Sequence, residues 1–222
     1  MNTGWPASRL GRTDLVLVGH DRDHDAARRA QKAGYVDRTD WNLIGACDGA
    51  DLVILSIPLD GIRATLQAMG PELQKGCVVT DTASVMMPVL AWAKETLPTH
   101  VNFVGGHPIM NRHSDGAQQP ADLFGGATWC LSPASNVLPE AIQRVSDLVE
   151  AVGARPYFVD AAEHDGLVAA VEQLPTVMAA ALQLVAGGSP SRREMQRLSG
   201  THFVDTTQPL SLDAGKLAQG CL

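Results

Sequence analysis

The sequence predicts an α/β chain: a doubly wound parallel sheet over residues 1–160, followed by an all-helical segment over 161–222. Three observations carry this expectation. Short apolar runs alternate with helical patterns as far as Asp160, as in strands joined by crossover helices. Those runs are apolar almost without interruption, as strands covered on both faces are. Beyond Asp160 the strand signals stop and a stretch rich in Ala, Leu and Val begins.

Taken in order, Leu15-Val16-Leu17-Val18-Gly19 is the first apolar run and reads as a buried strand. A helix follows over 21–33: Ala26, Ala27 and Ala30 give it a small-residue face, and Gly34 stops it. Residues 51–57 form the clearest strand, broken by Pro58, with a helix over 60–69 behind it. The third strand spans 77–81 and leads into a helix ending near Thr96. The fourth spans 101–104 and ends in Gly105-Gly106-His107-Pro108; the fifth spans 127–131. Residues 139–152 read helical and 156–159 give a sixth strand. Right-handed crossovers then settle most of the topology. From Ala161 to Gly187 apolar residues cover much of the helix circumference, so this helix is expected to be buried or to pair with a second chain. Gly187-Gly188-Ser189-Pro190 breaks it, a short helix follows over 191–198, and a polar, glycine-containing tail closes the chain.

Composition narrows the function classes. At 222 residues the chain exceeds one average domain of roughly 100–200 and buries a core without staples. With 45% hydrophobic and 18% charged residues it is neither disordered nor fibrous. Lys+Arg 17 against Asp+Glu 24 gives a net charge of −7, unsuited to gripping a phosphate backbone, so no nucleic-acid partner is expected. No unbroken run of ~18 apolar residues occurs, so no membrane span is expected. Met1-Asn2-Thr3-Gly4-Trp5-Pro6 lacks a basic and then apolar leader, which leaves a cytoplasmic location expected. Cys47, Cys77, Cys130 and Cys221 stand far apart without paired spacing; they read as reduced thiols, and no metal site is expected.

Several constellations carry chemistry. Asp21 sits just past the first strand, where an acid accepts hydrogen bonds from the hydroxyls of an adenosine ribose. A 2′-phosphate would be repelled there, favouring NAD over NADP. Arg22 would pair with that phosphate and keeps NADP open. An N-cap for the following helix explains Asp21 equally well. The glycine fingerprint belongs upstream of the acid, and Gly4-Trp5-Pro6-Ala7-Ser8 is the only candidate, with no strand before it. Ser56-Ile57-Pro58-Leu59 marks a strand end where such a sheet opens to ligand, although a plain terminating turn accounts for it too. Thr80-Asp81-Thr82-Ala83-Ser84 and Gly105-Gly106-His107-Pro108 both follow parallel strands on one edge, which would bring Ser84 and His107 to one crevice. His107, on a shaped turn, suits a general base near neutral pH. A serine hydrolase would need G-x-S-x-G, which is absent. Spacing alone assigns no role to His24, His100, His113 or His202.

Val18-Gly19-His20-Asp21-Arg22-Asp23, Ala50 to Leu59, Val79-Thr80-Asp81-Thr82-Ala83-Ser84-Val85 and Phe103-Val104-Gly105-Gly106-His107-Pro108 together resemble the prephenate/arogenate dehydrogenases of tyrosine biosynthesis. Asp122-Leu123-Phe124, Thr128-Trp129, Glu163-His164-Asp165 and Leu174-Pro175 extend the resemblance, which runs from about residue 13 to 210. It implies a Rossmann-type sheet lacking its first strand, then a helical dimerisation domain. It also implies oxidative decarboxylation of prephenate or arogenate: a hydride leaves ring C4 for NAD, His107 takes the hydroxyl proton, and carbon dioxide departs. On that resemblance Ser84 hydrogen-bonds near the hydroxyl and His107. Asp21, Arg22, Ser56, Pro58 and Thr82 fall on the cofactor side, and Ser84, His113 and Gln208 on the substrate side. Four departures stand out. The family lysine after the Ser-Val pair is Met86; Ser-His-Leu-Pro-His reads Glu172-Gln173-Leu174-Pro175-Thr176; the family arginine that binds the substrate carboxylate is Gln208; and most of the glycine-rich loop is missing. A neutral amide does not replace a bidentate guanidinium. Two other readings therefore fit: a catalytically impaired relative that keeps the fold and binds, or a different reductase on the same sheet.

Overall fold

The structure, a computed structural model, describes residues 15–109 and 124–207. The chain divides into two compact units, 1–161 and 162–222.

In the first unit β1 (Val18–Gly19) leads through α1 (His24–Lys32) to β2 (Arg38–Thr39), and the two strands pair in parallel, Val18 with Arg38 and Gly19 with Thr39. The apolar run at 15–19 thus yields a two-residue strand, and Leu15 and Val16 are exposed. Pairing begins only at Leu17, whose carbonyl accepts the Asp37 and Arg38 N–H groups. The cap of α1 is Asp23, which accepts the Asp25 N–H, and not Asp21 as one reading of the sequence had it. Gly34 ends this segment at φ +74°, a conformation other residues avoid. The short α2 (Leu43–Cys47) was not foreseen: one turn shows no periodicity, and its start is set by Asn42, which accepts the Ile44 and Gly45 N–H groups.

The main sheet runs in chain order: β3 (Leu52–Leu55), β4 (Val78–Asp81), β5 (Asn102–Ile109), β6 (Thr128–Pro133) and β7 (Arg155–Phe158). All its pairings are parallel except β5 with β6. That one antiparallel pairing departs from the expected all-parallel order. Among the described residues no strand joins the β1–β2 pair to β3. Neighbouring strand residues point to opposite faces, and both faces are covered. Val79 and Phe103 pack with Ile62, Leu66 and Met69 of α3 (Leu59–Met69) and Val89 and Ala93 of α4 (Met87–Thr96). Val78, Val104 and Leu131 pack with Val145 and Val149 of α5 (Pro139–Ala151). Helices on both faces make the sheet doubly wound.

The second unit is helical. α6 (Ala161–Val168), a π-helical turn over Ala169–Gln173 and α7 (Leu174–Gly188) form one continuous helix. Pro175 lacks an N–H and its ring crowds the preceding turn, which accounts for the widened turn ahead of it. α8 (Arg192–Leu198) and α9 (Thr201–Thr207) follow, and Gln183 Nε2 donates to the Thr207 carbonyl at 3.2 Å. The sequence indicated only a polar tail where α9 lies, because seven residues with little apolar content give no stripe. The helix over 161–188 is long and apolar enough, by length and composition only, to cross a membrane. Glu172 and Gln173 interrupt its apolar run, so no continuous apolar stretch of that length stands in the sequence.

Candidate active site

The carboxyl ends of β3, β4 and β5 build the site. Ser56 follows β3 and Thr82 follows β4; the Thr82 N–H donates to the Leu55 carbonyl at 3.2 Å, and Thr82 Oγ1 donates to Ser56 Oγ at 3.5 Å. Pro58 caps α3 and is exposed, with its missing N–H at a helix start where none is needed. Ser84 is exposed on the turn between β4 and α4.

His107 is placed differently from expectation. The Gly105-Gly106-His107-Pro108 stretch is not a turn but the second half of β5, paired with β6 so that His107 faces Cys130. The last β4–β5 pair is Thr80 with Val104, and that register sets Gly105 beside Asp81, the end of β4, so residues 106–109 project beyond it. His107 is therefore still carried past the carboxyl edge of β4, on a strand instead of a loop, and is 7% exposed. Gly106 makes this course feasible. A Cβ there would lie 2.6 Å from the Asp81 carbonyl, 2.9 Å from Trp129 Nε1 and 3.0 Å from Thr80 Oγ1. Thr80 Oγ1 and Trp129 Nε1 are themselves buried with no hydrogen-bond partner among the described residues.

Asp81 closes β4 and is 1% exposed. Its Oδ2 accepts the Ala83 N–H at 3.0 Å and its Oδ1 the Gly106 N–H at 3.1 Å. Burial pushes its carboxyl up to about 7, opposed by those backbone donors. The sequence displayed Asp81 within a motif but gave no sign of its burial, which decides its chemistry. Met86, where the resemblance has a lysine, is 1% exposed among Cys130 and Ala161, an apolar setting that suits a thioether and not an ammonium. Cys47, Cys77 and Cys130 are buried and form no disulfide among the described residues, and burial pushes the Cys77 thiol up to about 11.

Asp21 and Arg22 follow β1. Asp21 is half-buried, and its Oδ1 accepts the Asp23 N–H at 2.8 Å; Arg22 is exposed. His20, part of the first resembling motif but given no role there, holds the ends of β1 and β2 together through Nδ1 and the Asp40 carbonyl at 3.0 Å. A carboxylate at the end of a parallel strand, with hydroxyls of Ser56 and Thr82 at the ends of two others, is a donor and acceptor set that fits a dinucleotide. His113, Gln208 and Gly4 to Ser8 lie outside the described residues.

Comparison with known proteins gives the following. Residues 8–158 match the family described as prephenate dehydrogenase, nucleotide-binding domain. A cyclohexadienyl dehydrogenase of Zymomonas mobilis is 29% identical over 198 residues, 88% of this chain and 67% of that protein. A prephenate dehydrogenase of Bacillus subtilis is 26% identical over 168 residues, 75% of this chain but 45% of its own length. Among solved structures, Synechocystis arogenate dehydrogenase superposes with a TM-score of 0.77 at 26% identity, covering 98% of this chain and 77% of that one. The prephenate dehydrogenase from A. aeolicus, solved with hydroxyphenyl propionate and NAD+, superposes with a TM-score of 0.85 over 99% of this chain and 77% of that one; at 23% identity this likeness is one of fold.

Proposed function

The chain belongs to the prephenate dehydrogenase family, matched over the nucleotide-binding domain, and from that premise we propose that it catalyses the NAD-dependent oxidative decarboxylation of prephenate, or of arogenate, in tyrosine biosynthesis. The observation that carries this reading is the position of His107, nearly buried on the overhang of β5 beside the end of β4.

The reaction removes a hydride from ring C4 and breaks the bond to the ring carboxylate, and the released electron pair aromatises the ring. NAD, when bound, supplies the hydride acceptor. His107 takes the proton of the ring hydroxyl and returns it to the phenolate oxygen, the general-base role that an imidazole suits. Ser84 donates to the hydroxyl oxygen and orients it toward His107. Asp21 would accept hydrogen bonds from the ribose hydroxyls, and Arg22, Ser56, Pro58 and Thr82 would line the cofactor side. Gln208 and His113 would fall on the substrate side, with Gln208 as a neutral amide where the family pattern has arginine. The exposed apolar side chains Leu167, Val171, Leu174 and Met178 fall at helical spacing along 161–188 and suit a second copy of the chain in the cytoplasm.

Purified protein supplied with prephenate and NAD should release 4-hydroxyphenylpyruvate and reduced cofactor, followed by absorbance, with arogenate and NADP as parallel arms. His107→Gln should lower kcat by about 10²–10⁴-fold. Turnover equal in parent and His107→Gln would overturn the assignment. A second reading rests on Met86, buried at the place of the family lysine, together with Gln208: a relative that binds the dinucleotide without turnover. Calorimetric NAD binding with no product from any arm would select it.

A further inference from the structure

We propose that Asp81 is a positioning residue for Ser84 and His107, its single carboxyl group tying the turn that carries one to the strand that carries the other. The inference rests on the reading of those two side chains as the reacting pair. Ala83 immediately precedes Ser84, and Gly106 immediately precedes His107. The carboxyl accepts one N–H from each, at 3.0 and 3.1 Å, so one group reaches both neighbours. It does so where the β4–β5 ladder stops, at Thr80 and Val104. Beyond that point the carboxyl takes over from backbone pairing as the link between the two segments.

The chemistry of the group is specific to the task. Two N–H groups arriving from different segments need two acceptor atoms on one short, buried side chain. A carboxylate offers both; an asparagine replaces one of them with a donor, and a serine reaches only one segment. The tie is also stiff. Gly106 lies so close to the Asp81 main chain that no Cβ fits between them, so a displacement of Asp81 passes directly into the residue before His107.

The test is Asp81→Asn, with Asp81→Ser beside it, measured in the full-length protein. Where the variant folds by circular dichroism, kcat should fall by about 10²-fold, as misplacement by an ångström does, with the KM for NAD unchanged. The ring resonance of His107, identified as the one missing from His107→Gln, should move in the variant. A folded variant with parental kcat and an unmoved His107 resonance overturns the proposal. If the parent itself turns over no substrate, the functional reading fails on its own, and the His107 resonance alone decides the role of Asp81. If neither variant folds, amide exchange in the parent decides: protected Ala83 and Gly106 amides support the tie, and rapid exchange at both overturns it.

Discussion

Asp81 illustrates how far a single residue departs from its ordinary chemistry when the fold encloses it. Its unfolded carboxyl titrates near 3.9, whereas burial in the folded chain raises it to about 7. Below the lower value both states hold the proton. Between the two values the unfolded chain has released its proton and the folded one has not, so stability falls as pH rises and levels off above about 7. The urea midpoint of the parent should thus decline between about pH 4 and about pH 7, and Asp81→Asn should lack that component. Gly106 permits a second prediction at this scale. Gly106→Ala places a methyl 2.6 Å from a carbonyl oxygen and should cost about 1–3 kcal/mol in denaturant titrations. The motif Thr80-Asp81-Thr82-Ala83-Ser84 was visible in the sequence, and so was His107. The role of Asp81 was not, because it depends on a hydrogen bond to Gly106, 25 positions away.

Helices and strands were mostly legible, with boundaries shifted where pairing decides them. The helices at Leu59–Met69, Met87–Thr96 and Pro139–Ala151 fall within a residue or so of their apolar periodicity, except that Met87–Thr96 was given no start. β1 shrank to two residues because pairing starts late; β5 grew to eight because β6 lies antiparallel along its second half. No local pattern distinguishes a glycine pair in a turn from one inside a strand. Leu66 is fully buried between α3 and the sheet, and Leu66→Ala should cost about 2–5 kcal/mol by thermal unfolding. Asn42→Ala, removing the cap of α2, should cost about 1 kcal/mol by the same measurement.

At the scale of the molecule, the chain spans 67% of its Zymomonas relative and less than half of the Bacillus one. Its helical unit leaves Val171 and Leu174 exposed at 68% and 56% on one helix, an apolar surface of the kind that marks an interaction face. If a second copy covers this face, as proposed, replacing both by aspartate should lower the sedimentation coefficient from that of a dimer to that of a monomer while leaving the circular dichroism unchanged. A parent that sediments as a monomer over a wide concentration range counts against the dimer.

Alternation of apolar runs and helical patterns, read from the sequence alone, determined a doubly wound sheet ahead of a helical segment. The order of four motifs determined the family resemblance. These are local properties, written in spacing and side-chain type. Only the tertiary structure decided that β6 runs antiparallel, that His107 sits on a strand overhang, that Met86 is enclosed by apolar neighbours and that Asp81 bridges two segments. Each of those depends on which distant residue comes to lie alongside. That proximity sets both the desolvation of a charged group and the partner available to it, and no neighbouring residue in the sequence encodes it.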